Sequence, residues 1–457
     1  MNTLIVLSSL VVVILLLEII NFRKGIVPFA ILGLAVAAGA VYCQEELVQF
    51  ESYDVIRESS FTKAFSVLLI VLTGGLVAMG NRFYRDVKPK LSDFISLKIF
   101  TLIGAVCMIM ANHFVMFFIG LEILSISLYI LASSRPKDIL SNESGMKYFL
   151  MGSFASGFVL FGIALIYGAT ASFYLSEISL KTVVGAEQIW LTLGGAMILI
   201  GMLFKVAAFP FHFWAADVYE GAPTLTTASM STVAKVASMA VLFQLGQVIL
   251  PQSVELYHNL LIVLIVSTMF VGNILALKQE NIKRMLAYSG VSHAGFMLLT
   301  LLYTDGASQE LFYYAAAYTT AGIAGFAVVL YATTGGLKDT VESFIGFGKK
   351  NPLMGAVLTL ALLSMGGIPI LSGFFAKFFL LKSVFNEGYL TLALLAVVNS
   401  IISIYYYFRL ILAMYTPKEN AEKVSLPCVN IYSIAAILFI VLNILIGLSP
   451  SCMLELI

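Results

Sequence analysis

Long apolar runs separated by short polar connections set the pattern of this chain. A helix that crosses a hydrocarbon layer of ~30 Å needs about 20 apolar residues. Fourteen runs approach or exceed that length: 2–21, 26–43, 62–80, 94–111, 114–132, 143–169, 189–209, 226–249, 257–277, 283–303, 309–333, 352–382, 388–415 and 430–449. They are continuous, unlike the ~10-residue alternating segments of a membrane barrel. The pattern predicts an all-α polytopic membrane protein of about fourteen transmembrane helices. The first run lacks a basic leader and reads as a span, not as a cleaved signal peptide. The longest polar stretches, Gln44 to Phe61, Asn81 to Asp93 and Tyr415 to Cys428, leave no room for a soluble domain.

Composition agrees. Charged residues make up 11% of the 457 positions, against about 25% in soluble domains. The net charge of +1 gives no bulk attraction for nucleic acid. The connections alternate in charge. Every second one is basic: Arg23 and Lys24; Arg82, Arg85, Lys88 and Lys90; Arg135 and Lys137; Lys278, Lys283 and Arg284; Lys338, Lys349 and Lys350; Lys418 and Lys423. The opposite connections hold only Arg57, Lys63 and Lys181. The positive-inside rule then places the basic side in the cytoplasm and both termini outside, on the periplasmic side if the membrane is a bacterial inner membrane.

Two spans are interrupted at depth, one in Phe204-Lys-Val-Ala-Ala-Phe-Pro-Phe-His-Phe-Trp214 and one in Met365-Gly-Gly-Ile-Pro-Ile-Leu-Ser-Gly-Phe-Phe375. Proline removes a backbone donor and clashes with the preceding turn. The freed carbonyls are tolerated at membrane depth only where protein or water satisfies them, and paired interruptions point to an ion path. With one break in each half, the chain divides into three N-terminal spans (1–93), two inverted five-helix repeats (94–249 and 250–415) and a last span (416–457). The offsets differ: Lys205 precedes Pro210 by five residues, whereas Lys377 follows Pro369 by eight.

Glu122, Lys205, Lys235 and Lys377 lie deep inside apolar runs. A charge at the bilayer centre costs a few kcal/mol on insertion scales and roughly 10 or more in simulations, so such residues mark ion or proton paths. The alternative for each is a structural ion pair. His293, inside the tenth run, is a possible relay or a hydrogen-bonded core histidine. Glu143 and Lys147, at i and i+4, form a helix-surface pair that could line an access route. His212, Asp217 and Glu220 follow the first break and suit a structural or access role. Lys98 and Arg409 are close enough to span ends to snorkel. The four cysteines show no metal-site spacing and read as small buried hydrophobes. No strand-borne G-x-G-x-x-G and no phosphate-binding loop is present.

Several segments resemble the antiporter-like membrane subunits of respiratory complex I: FIGLEILSISLYIL (119–132) their fifth helix, FKVAAFPFHFWAADVYEGAPT (204–224) their broken seventh and the loop after it, NIKRMLAYSGVSHAGF (281–296) their tenth, and GGIPILSGFFAKFFLLK (366–382) their broken twelfth. The D-V-Y-E-G-A-P-T wording of 217–224 and the lysine at 377 resemble the N-type subunit of NADH:quinone oxidoreductase. The M- and L-type subunits and Mrp-type cation/proton antiporters usually carry D-A-H-x-E-A-P there. The resemblance implies a proton relay through Glu122, Lys205, Lys235 and Lys377. A lysine's proton affinity depends on burial and on nearby carboxylates, so opening and closing a Glu122–Lys205 pair would drive transfer. It also implies neighbours in a membrane arm: subunits M, K and J, the lateral helix of L, and lipid. No cofactor is expected on this chain; NADH, FMN, iron–sulfur clusters and quinone belong to partner subunits. An Mrp-type antiporter subunit and a non-transporting scaffold are the competing readings.

Overall fold

The computed structural model describes residues 2–43, 55–84, 91–181, 183, 185–249, 254–417 and 430–457, without the side chains of 254–256. Arg85, Lys88, Lys90, Lys418, Lys423 and Cys428 lie outside the described residues. Among the described residues, thirteen helices are long and apolar enough to cross a membrane. The remaining expected span, the twelfth, is two half-helices, Pro352–Gly366 and Ser372–Asn386. Together they recover the fourteen runs.

The eleventh span, Ala307–Thr334, stands at the centre, and its most apolar stretch is buried on all sides. Its alanines, glycines and threonines let neighbours approach, while Tyr313, Tyr314, Tyr318 and Tyr331 fill the space between them. Without a hydrophobic driving force between helices in lipid, close backbone contact and interhelical hydrogen bonds hold such a bundle. A Cβ at Gly104 would meet Leu124 N at 2.4 Å, so the fourth and fifth spans (Leu91–Ile109 and Phe114–Ala132) touch backbone to backbone. Asn273 in the ninth span donates to Asn399 O (2.7 Å) and accepts from Tyr406 (2.9 Å), and Asn399 donates to Ser292 (3.1 Å). Asn443 in the last span (Ile431–Leu448) donates to Ala317 O at 2.9 Å and to Thr320 at 3.0 Å, tying it to the eleventh.

Both breaks are present and have visible causes. The seventh span, Ala186–Val206, ends with Ala207 at φ 58°, and Pro210 follows. Phe204 O accepts from Ala207 N and from Trp214 Nε1, 3.0 Å each, and Phe209 N donates to Thr268 at 3.1 Å. The twelfth stops at Gly367, φ 83°, a left-handed position that glycine adopts without strain. Gly447 of the last span presses on this break; a Cβ there would meet Ile370 O at 2.7 Å.

Four sequence expectations are corrected. Residues 213–221, read as a loop, form a short helix that buries Trp214, Val218 and Tyr219. Lys98 does not snorkel: it is 2% exposed and donates to Ser229 at 2.9 Å. Arg409 turns inward, donating to Leu277 O at 2.8 Å and also to Gln279 O, where the ninth span ends and leaves carbonyls free. Cys43 and Cys452 are exposed, because each follows or closes a terminal helix at its end.

Candidate functional site

The four charges singled out in the sequence, together with His293, occupy two neighbourhoods. In the first, Lys205 lies in the last turn of its half-helix, where the carbonyl end of the helix dipole favours a cation. Its Nζ donates to Ser125 Oγ at 2.6 Å and to Tyr129 Oη at 3.2 Å, both on the fifth span. Glu122, one turn earlier on that span, interacts electrostatically with Lys205. The expected Glu122–Lys205 ion pair is not closed in this structure: Ser125 and Tyr129 take the ammonium, and Glu122 Oε1 has no hydrogen-bond partner. Tyr129 packs edge-on to Tyr148, which stacks on Trp214, so the Lys205 acceptor and the cap of the break share one aromatic wall.

The second neighbourhood gathers Lys235, His293 and Lys377. The eighth span is helical from Thr224 to Ile249 but widens to a π-turn over Met230–Ala234, immediately before Lys235. Such turns recur at functional sites. Lys235 is 1% exposed and its Nζ has no hydrogen-bond partner. It reaches the tenth span (Ile282–Leu298) at Gly290, beside Tyr318 Oη, which is bonded to Ser231 Oγ at 2.9 Å. One turn on, His293 Nδ1 bonds Tyr314 Oη at 2.8 Å and Nε2 bonds Tyr407 Oη at 3.3 Å. Tyr407 also bonds Ser289. The imidazole feels both Lys235 and Lys377. Another turn on, the Phe296 ring lies 5.1 Å from Lys377 Nζ. Gly290, His293 and Phe296 are spaced i, i+3, i+6, which puts them on one helix face.

Lys377 Nζ donates to Gly366 O at 3.1 Å, the carbonyl end of the other half of its own span. This accounts for the unequal offsets in the sequence. Both lysines belong to the C-terminal end of a first half-helix, Lys205 from within it and Lys377 by folding back across the break. Among the described residues, no hydrogen bond joins the Lys205 neighbourhood to that of Lys235.

Glu143 and Lys147 pair at 2.7 Å, and Lys147 also meets Asp217 at 3.0 Å. Arg284 pairs with Asp217 and Glu220, 2.7 Å each. Partial burial pushes the Asp217 carboxyl up, but Arg284 and Lys147 outweigh it and hold the group below the ordinary carboxylate range. Lys283, buried, donates to Glu220 O at 2.5 Å and Ala222 O at 3.2 Å, and pairs with Asp339 at 3.3 Å. This network fixes the short helix after the first break to the sixth and tenth spans. His212 is buried with Nδ1 unpartnered.

Sequence reading missed three things here. Lys98 on the fourth span is as buried as the other lysines, which its short distance from the span end did not signal. Tyr314 and Tyr407, which bond both ring nitrogens of His293, carry no sequence mark that sets them apart from the chain's other tyrosines. Glu310, at the start of the eleventh span, accepts from Tyr303 at 2.5 Å and Ser383 at 2.6 Å, one and a half turns beyond Lys377.

The family model described as NADH:quinone oxidoreductase/Mrp antiporter, TM, matches residues 111–403. NADH-quinone oxidoreductase subunit N of Flavobacterium psychrophilum is 50% identical over the whole of both chains. This chain belongs to the NADH-quinone oxidoreductase subunit N family. A chain of respiratory complex I from Thermus thermophilus with bound aureothin is 30% identical, with a TM-score of 0.83 over 99% of this chain and 98% of that one. A chain of the Mrp complex from Dietzia sp. gives a TM-score of 0.84 over 100% and 95%, at 17% identity, which shows a shared fold alone. Backbone likeness therefore does not separate the two families; the identity over the full subunit N length does.

Proposed function

We propose that this chain is a proton-translocating membrane-arm subunit of NADH-quinone oxidoreductase, in which Glu122, Lys205, Lys235 and Lys377 carry protons. The observation that carries this reading is four charges at membrane depth, on four different spans, with the three lysines at helix interruptions: Lys205 and Lys377 at the two breaks, Lys235 at the π-turn. Two inverted five-helix repeats, 94–249 and 250–415, each contribute one broken span. Glu122 with Lys205 forms the loading pair. Opening or closing it alters the proton affinity of both groups; each pKa unit corresponds to 1.36 kcal/mol. Water crosses from Lys205 to Lys235, and His293, bonded through both ring nitrogens, relays between Lys235 and Lys377. Glu143 and Lys147 line cytoplasmic access.

The chain then sits in a bacterial inner membrane, its basic connections cytoplasmic and its termini periplasmic. It works beside subunits M, K and J and the lateral helix of L. NADH, FMN, iron–sulfur clusters and quinone are handled by partner subunits, so electron transfer elsewhere drives the relay here. Lys205→Ala and Glu122→Ala in the assembled, reconstituted complex test the reading: NADH-driven proton uptake into the vesicles falls while assembly persists. Normal uptake in both variants would remove these two residues from the relay.

A further inference from the structure

A cavity of about 450 Å3 opens at the basic end of the bundle, between the ends of the third, fifth and eleventh spans and the starts of the eighth, tenth and fourteenth. Its wall carries Arg82, Arg135, Lys283 and Lys338 against a single carboxylate, Asp339. Asp339 is already engaged by Lys283. Arg82, Arg135 and Lys338 have no acidic partner within 4 Å among the described residues; Arg135 lies only against the Phe83 ring, 5.2 Å from its centroid. Two other cations at helix ends are matched, Arg23 by Glu18 at 2.8 Å and Arg284 by two carboxylates. Among the described residues, three unmatched cations thus line one cavity, rather than being spread over open surface, and Asp339 is the one carboxylate on its wall. Tyr432, fully buried on the same wall, offers a hydroxyl without a well-formed hydrogen bond, beside Thr334.

We propose that this cavity binds a phosphate-bearing anion, most directly the headgroup of an anionic phospholipid. Arginine guanidinium groups match phosphate oxygens in bidentate fashion. A basic pocket between the cytoplasmic ends of membrane helices suits a lipid headgroup. Phe83 and Leu337 line the same wall and supply apolar surface for the glycerol and upper acyl region. The site is separate from the buried lysine axis and does not depend on proton transfer. Its occupant would clamp the ends of six spans together.

Thr334, exposed and on the cavity wall, is the reporter position. The assembled complex carrying Thr334→Cys is placed in bilayer discs of phosphatidylcholine alone, of phosphatidylcholine with phosphatidylglycerol, or of phosphatidylcholine with inorganic phosphate in the buffer. The rate of N-ethylmaleimide addition is read by peptide mass spectrometry. Lys349→Cys, exposed on a basic connection outside the cavity, corrects for the general effect of an anionic surface. Occupancy at ten times the dissociation constant slows labelling about tenfold. Protection by phosphatidylglycerol alone identifies a lipid headgroup, and protection by inorganic phosphate identifies a free anion; either supports the site. Adding Arg82→Gln, Arg135→Gln and Lys338→Gln weakens binding on the order of 100-fold and restores the unprotected rate. The single Lys338→Gln, at an exposed side chain, gives a partial loss should the triple variant fail to assemble. Equal labelling in all three media, or protection that survives these substitutions, overturns the proposal.

Discussion

Gly290→Ala probes the Lys235 position without replacing any titratable group. An added Cβ would lie 2.8 Å from Lys235 Nζ and 2.9 Å from Tyr318 Oη. Comfortable non-bonded contact needs about 3.5 Å or more, so the ammonium must retreat by roughly 0.7 Å. The lysine stem is flexible and gives way easily. The helix itself gains about 0.5–1 kcal/mol from replacing glycine by alanine. Stability should therefore change little. Transfer through Lys235 should suffer instead, because a misplacement near 1 Å can cost up to about 100-fold in a reaction that depends on alignment. Gly157→Ala, in the sixth span with open space around its Cβ, has the same intrinsic helix gain and no such contact. The assay is NADH-driven vesicle acidification by the reconstituted complex, with melting temperature measured in parallel. Gly290→Ala should acidify much more slowly than Gly157→Ala at equal melting temperature. Equal acidification by the two variants would refute the placement of Lys235 in the relay.

Other expectations concern the buried and interfacial charges. Ser229→Ala removes the hydroxyl that accepts from Lys98 at 2.9 Å and should destabilise the complex by about 1–3 kcal/mol, seen as a lower melting temperature. Asp217→Asn breaks the Lys147–Asp217–Arg284 link; because Asp217 is 41% exposed, the loss should stay near or below about 1 kcal/mol. Its folded carboxyl is held below the ordinary 3.8, so its contribution is present above that value and lost as pH falls through the depressed one. The melting-temperature gap between wild type and Asp217→Asn should then hold steady from neutral pH to pH ~5 and close only below about 4.

The apolar runs made the span count legible, since their lengths alone decide it; Pro210 marked the first break, and Pro369 with its flanking glycines the second. The depth of Glu122, Lys205, Lys235 and Lys377 was equally visible, because a charge inside an apolar run has few explanations. What sequence could not reach was which side chain meets which. Lys377 folds back to Gly366 O across eleven residues of chain, and Ser125 with Tyr129 intercepts Lys205 where a carboxylate was expected. Both depend on how half-helices sit against neighbours. The π-turn before Lys235 changes one turn of an unbroken apolar run and leaves no periodic mark. Lys98 was misjudged because distance from a span end is a weak guide to the direction a side chain takes. The third-position stripe Gly290, His293, Phe296 becomes meaningful only once Lys235 and Lys377 are known to face it.

Lys235 separates a proton carrier from a structural cation most cleanly, because it is 1% exposed and has no hydrogen-bond partner. A buried charge kept for structure destabilises when removed, whereas replacing an unpaired one by an apolar side chain of similar length lifts its desolvation cost and stabilises by on the order of 1 kcal/mol. The decisive measurement is therefore melting temperature and NADH-driven proton uptake together, on the reconstituted complex carrying Lys235→Met. A relay lysine predicts a higher melting temperature with proton uptake lost; a lower melting temperature with uptake intact would contradict the account.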